Sequence, residues 1–171
     1  LAQYTFPPVT ADHELWVSFR PATVPVSFAV RKGWNMVALP VLPPDARKQT
    51  LFSSAVSPAF AYRGAYAIEE SLKWGVGYWM RFPAPETLSI VGLSLQADTI
   101  ALRLGWNLIG PAGAASLPVG AFGAVPASIR LSDFFGYEIQ YKTVQTLEPG
   151  RAYWVKASGE GILVPANPSG A

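Results

Sequence analysis

Sixteen prolines and fifteen glycines are scattered along all 171 residues, and this punctuation restricts the fold more than any other feature. Proline removes an amide donor and breaks helix interiors, and glycine weakens them. A long helix has almost nowhere to lie. Between the breaks are short alternating runs rich in β-branched and aromatic residues, which predict strands. They cover 23–30, 35–39, 78–82, 87–91, 99–104, 107–109, 137–144, 152–157 and 162–164. Two stretches have room for a helical turn: 46–52, with Asp45 as N-cap, and a turn from Ser132 through Phe135. The uncharged stretch 104–129 is long enough to span a bilayer, but its prolines and glycines would leave backbone groups unpaired in lipid. It is read as a buried strand followed by a surface loop, with no membrane span.

The chain repeats itself. Gly33-Trp34-Asn35-Met36-Val37 recurs as Gly105-Trp106-Asn107-Leu108-Ile109, 72 residues later. Tyr66, Leu72, Gly75, Tyr78, Trp79, Met80 and Arg81 recur as Tyr141, Leu147, Gly150, Tyr153, Trp154, Val155 and Lys156, 75 residues later. The first copy spans 23–96 and the second 97–168. A unit of about 70 residues buries only about 60% of its surface and is marginal alone, whereas the full length buries nearer 70%. Cysteine is absent, so no disulfide helps either copy. The expectation is one all-β domain, a pseudo-twofold β-sandwich or barrel built from two similar halves sharing one core.

Turn chemistry repeats as well. Glu148-Pro149-Gly150-Arg151 suits a type II turn, and Lys73-Trp74-Gly75-Val76 keeps its glycine. Gly33 and Gly105 are expected to adopt positive φ, with Asn35 and Asn107 bonding to nearby backbone.

The Gly-Trp-Asn block followed by Leu-x-x-Gly-x-x-Tyr-Trp-hydrophobic-basic resembles a duplicated β module of secreted, multidomain bacterial and archaeal surface proteins. The resemblance rests on Trp34, Trp79, Trp106 and Trp154 and covers nearly the whole chain. Residues 1–22, with Tyr4-Thr5-Phe6, Val9-Thr10-Ala11-Asp12-His13 and Leu15-x-Val17-x-Phe19, resemble the end of an internalin-type bacterial surface repeat. The two resemblances imply a secreted or cell-surface location and an array of domains, and the module carries no catalytic motif.

Charge and residue types exclude several functions. Thirteen basic and eleven acidic residues give a net +2 without a basic block, so no nucleic-acid partner is expected. The one histidine, His13, stands beside Asp12 and cannot supply a triad or a metal site alone. Glu69 and Glu70 are adjacent, so on a strand they face opposite sides, and neither has an acidic counterpart in the second copy. Asp98, Asp133 and Glu148 remain as scattered carboxylates. No cofactor or metal is expected, and the chain is read as not an enzyme.

Aromatic residues are the best functional lead. Matched pairs Trp34/Trp106 and Trp79/Trp154 are read as buried scaffold, because enclosing such rings is the largest hydrophobic gain available. Alternation puts Trp79 on one face with Arg81, and Trp154 with Lys156, so the complication is a half-wet face with a cation over the ring. Trp74 has no counterpart and occupies a turn corner, where a side chain is usually exposed. It is either a ligand contact, a candidate together with Tyr62, Tyr66 and Tyr137, or equally a cover over neighbouring apolar surface. Trp16 alternates away from the repeat's interior and is a candidate interdomain contact.

The functional expectation is a non-catalytic structural or adhesive accessory module of a secreted or cell-surface multidomain protein. Its partners would be neighbouring domains of the same polypeptide or another surface protein, and exposed edge strands offer a route to a homodimer. The alternative is a carbohydrate-binding module, which predicts two or three exposed, coplanar rings on one face.

Overall fold

The computed structural model describes residues 22–94, 99–111, 113 and 115–165. The first half contains β1 (Thr23–Val30), β2 (Gly33–Ala38), β3 (Ala59–Tyr62), β4 (Tyr66–Glu69), β5 (Gly77–Phe82) and β6 (Glu86–Leu93). The second contains β7 (Ile100–Leu102), β8 (Gly105–Ile109), β9 (Leu117–Pro118), β10 (Phe122–Val125), β11 (Phe134–Glu138), β12 (Gln140–Val144), β13 (Thr146–Leu147), β14 (Tyr153–Ala157) and β15 (Gly161–Pro165). The protein is all-β, and among the described residues no sheet closes into a barrel.

The two halves are built alike. One four-stranded antiparallel sheet runs β2-β5-β3-β4 and the other β8-β14-β11-β12, so equivalent strands hold equivalent places. A second layer covers each: the β1-β6 ribbon in the first half, and β7, β15 and β10 in the second. β1 shows why. Val26, Phe28 and Val30 are buried while their neighbours are not, which is the two-residue period of a strand with one face on a core.

Each half therefore has its own interior. Phe28, Val37, Phe52, Tyr78, Met80 and Ile90 belong to the first, and Ile100, Ile109, Phe134, Tyr153, Val155 and Leu163 to the second. A third cluster (Met36, Ala38, Trp79, Leu108, Ala152 and Trp154) joins them. The interior common to both halves is this central cluster, where the two four-stranded sheets meet.

The joint is reciprocal. The Ala38 amide donates to the Gly150 carbonyl at 3.0 Å, and the Gly110 amide donates to the Gly75 carbonyl at 3.1 Å. Val37 bridges Arg151, and Ile109 bridges Val76. Such exchange of equivalent partners is the mark of twofold contact. Each glycine turn also lies on the opposite half: the nearest atoms to Gly75 beyond its own turn belong to Ile100, and a methyl at Gly150 would meet the Phe28 ring.

Local chemistry repeats at the strand entries. Gly33 and Gly105 have φ of +96° and +92°, a region that favours glycine. Just beyond, the Asn35 side chain accepts from the Arg31 amide and donates to the Arg31 and Gly33 carbonyls. Asn107 makes the same three bonds with Arg103 and Gly105. The Lys73 amide donates to the Tyr78 hydroxyl at 2.7 Å, and the Glu148 amide to that of Tyr153 at 2.8 Å.

Three expectations need correction. The helical turn is only α1 (Lys48–Leu51), and Asp45 does not cap it. Its carboxylate instead accepts from the Arg47 amide, the Arg47 guanidinium and the Thr50 hydroxyl, which holds it well below the usual carboxylate range. Ser132 starts no turn of helix; its hydroxyl accepts from the Lys156 amide at 2.9 Å as the chain enters β11. The run 137–144 is not one strand, because the chain reverses at Ile139, whose φ is +76°.

Candidate functional site

The faces that the two four-stranded sheets turn toward each other are aromatic. On β2, alternation puts Trp34 on one face with Met36 and Ala38. Register then places Arg81 opposite Trp34, Trp79 opposite Met36 and Phe60, and Tyr66 opposite Tyr62. The second sheet repeats the pattern, with Lys156 opposite Trp106, Trp154 opposite Leu108 and Phe135, and Tyr141 opposite Tyr137.

The faces touch only near the centre. There, Trp79 and Trp154 are each 9% exposed. Further out, the opposing sheet no longer covers the rings, and Trp34 and Trp106 remain 45% and 44% exposed. This corrects the expectation that all four matched tryptophans are buried scaffold: one pair is, the other is not.

The rings form two sets. Trp79 meets the Tyr137 ring of the other half at 4.8 Å between centroids, and Trp154 meets Tyr62 at 4.9 Å. Trp34 lies 6.0 Å from Phe60 and 6.3 Å from Trp79; Trp106 lies 5.8 Å from Phe135 and 6.2 Å from Trp154. Interplanar angles across these contacts run from 56° to 86°, tilted to edge-to-face arrangements of the kind that ring quadrupoles favour.

Two open grooves result. One, of about 530 Å³, is lined by Trp34, Phe60, Tyr66, Trp79, Tyr137 and Tyr141. The other, of about 550 Å³, is lined by Trp106, Phe135, Tyr141, Trp154, Tyr62 and Tyr66. Exchanging each residue for its counterpart converts one lining into the other. Tyr66 and Tyr141 belong to both, so the grooves adjoin there. Each groove draws side chains from both halves, so neither half builds one alone.

Polar groups in the linings are tyrosine hydroxyls and indole N–H groups. Burial and the neighbouring Tyr141 push the Tyr66 hydroxyl above its ordinary value, so it stays protonated at neutral pH. That hydroxyl lies beside Trp79 without meeting hydrogen-bond geometry, and the buried Trp79 Nε1 has no acceptor. Nearby ion pairs serve the strand ends: Arg63 holds Glu69 at 2.6 Å, and Lys142 holds Glu138 at 2.5 Å. Among the described residues, no three His, Cys, Asp or Glu side chains gather as a metal site would require.

Tyr62, Tyr66 and Tyr137 all lie in this aromatic surface. Trp74 does not. Its turn docks on the second half, where the ring is half-buried against that core and its Nε1 is enclosed without a partner. The expected exposed corner is thus an interdomain-like contact within one chain. Trp16 and His13 lie outside the described residues. Sequence reading missed Phe60/Phe135 and the pairing of Tyr62 with Tyr137. The 75-residue offset that relates Tyr66 to Tyr141 finds both pairs.

No helix among the described residues is long and apolar enough to cross a membrane. The chain matches no protein family, no curated protein and no solved structure.

Proposed function

We propose that this chain is a non-catalytic adhesive module of a secreted or cell-surface multidomain protein, and that it meets its partner through the twofold aromatic surface. One observation carries the reading. All five ring positions of each set are identical between halves: Trp34/Trp106, Phe60/Phe135, Tyr62/Tyr137, Tyr66/Tyr141 and Trp79/Trp154. The opposite, buried faces of the same strands keep Tyr78/Tyr153 but otherwise vary: Met80 against Val155, Phe82 against Ala157, Ala59 against Phe134. Packing alone would constrain the buried face more tightly than the exposed one. Leaving two indoles nearly half in water forgoes much of their burial energy, which a ligand would recover. The secreted setting is supported by the resemblance of the Gly-Trp-Asn and Gly-x-x-Tyr-Trp blocks to a surface-protein module.

Arrays of extended peptides and of glycans, probed with the whole chain, test this. Binding is expected that Trp34→Ala combined with Trp106→Ala abolishes, with the unfolding temperature changed by only a few degrees. Binding that survives the double substitution, or no binding to either array, would overturn the reading. A glycan ligand is the second reading, favoured by the presence of Tyr62, Tyr66 and Tyr137 in the grooves. The steep angles between neighbouring rings weigh against it, since a coplanar platform was its requirement.

A further inference from the structure

We infer that each groove binds an extended, proline-rich polypeptide segment, two segments per chain; this rests on the aromatic surface being the recognition surface. The lining chemistry points there. Indole N–H groups only donate, those of Trp34 and Trp106 belonging to half-exposed rings while that of Trp79 is enclosed, and tyrosine hydroxyls can donate or accept. Neither lining contains a carboxylate, a side-chain amide or a histidine among the described residues. The grooves therefore offer apolar ring faces and neutral groups able to donate, with no charged or amide acceptor. A polyproline II helix has the complementary inventory: no donor at proline, free carbonyls all along, and rigid apolar rings.

Geometry agrees. Rings set at steep angles to one another line each open groove, and aromatic-lined grooves are how polyproline II segments are held. Each groove also falls within the roughly 300–1,000 Å³ usual for ligand sites. Trp34 and Trp106 each line one groove only, at the ends away from Tyr66 and Tyr141. Exposed Arg81 and Lys156 stand in register beside them. Acidic residues flanking the prolines are thus favoured at both ends of the surface.

Symmetry sets the stoichiometry. A polypeptide has direction, and the two grooves are related by a twofold exchange. A single straight segment cannot run the same way through both. Two short segments, antiparallel, satisfy both grooves equally.

The test is calorimetric titration of the whole chain with a peptide of six prolines flanked by glutamates. A peptide with the prolines replaced by alanines and a hexasaccharide of β-1,4-linked glucose serve as comparison ligands. Two equivalent sites are expected for the proline peptide, with at least tenfold weaker binding of the alanine peptide. Trp34→Ala should halve the stoichiometry and leave the remaining affinity unchanged, and Trp106→Ala should do the same. Tyr66→Phe should weaken both sites together. Arg81→Glu with Lys156→Glu should weaken binding several-fold and remove most of its salt dependence. Equal binding of the alanine peptide, a single site unaffected by Trp34→Ala, or no saturable binding would each overturn the inference. Saturable sugar binding lost in the Trp34→Ala, Trp106→Ala variant would overturn it while leaving the recognition surface standing. Loss of every ligand would remove both.

Discussion

The methyl of Ala38 lies directly against Gly110, its own counterpart 72 residues later: a Cβ at Gly110 would fall 2.1 Å from the Ala38 Cβ. Gly77 and Ala152, counterparts at an offset of 75, face each other likewise, with 2.6 Å for the corresponding approach. Both pairs sit where the sheets cross, and each level has room for one methyl. Identical halves could not meet this way, because alanine opposite alanine clashes and glycine opposite glycine leaves a gap. One glycine and one alanine per level is the asymmetry that lets two similar halves pack.

Gly110→Ala is therefore expected to destabilise by about 2–3 kcal/mol through overpacking against tethered backbone. Adding Ala38→Gly should restore much of this, since the pair again holds one methyl. The Val76 carbonyl, 3.1 Å from the new Cβ, keeps recovery incomplete. Urea unfolding of both single variants and the double gives the coupling energy, expected to exceed about 1 kcal/mol. Strict additivity would show that the two positions do not share space.

Asn35 and Asn107 make the same three bonds, yet Asn107 is 7% exposed and Asn35 is more open. Truncation leaves backbone groups unpaired, at a cost that grows with burial. Asn107→Ala should lose about 2–3 kcal/mol and Asn35→Ala about half that. Equal losses measured by chemical denaturation would argue that burial does not set the difference.

Much of this architecture was legible in the chain. Positive-φ entries at Gly33 and Gly105 and the asparagine brackets follow from residue type and spacing, because those constraints are local. The face on which Trp34 and Trp79 lie also follows from alternation. How far the opposing sheet extends over that face does not, so alternation alone does not separate the half-exposed Trp34 from the buried Trp79. The two readings of Trp74 are separated for the same reason: its environment is set by the core of the other half, not by its own turn. β3 and β4 are not legible in the same way, because strands of four residues give periodicity too little length to register.

Ile139 occupies the place that Gly64 holds in the first half, and both have positive φ, +76° and +89°. A β-branched residue is strained there by about 1–2 kcal/mol. Its side chain is 84% exposed, so little packing offsets that strain. Ile139→Gly should stabilise by about 0.5–1 kcal/mol, the gain being reduced by the greater freedom of glycine in the unfolded chain. The reciprocal Gly64→Ile should destabilise. A lower thermal midpoint for Ile139→Gly would contradict this account.

Tyr78 and Tyr153 are buried counterparts whose hydroxyls accept backbone amides, and burial pushes both above their ordinary value. The amide bond acts the other way and is the smaller effect. Above pH about 10 the unfolded chain loses these protons while the folded chain keeps them. The unfolded state then binds fewer protons, so stability falls as pH rises. The contribution is complete below pH about 10 and declines from there upward through the raised folded values. Urea unfolding at pH 8 and pH 11 should show a marked alkaline loss. In the Tyr78→Phe, Tyr153→Phe variant that loss should shrink, set against a pH-independent cost of about 1 kcal/mol for each amide left without its acceptor. An alkaline slope unchanged by the double substitution would place the titrating groups elsewhere.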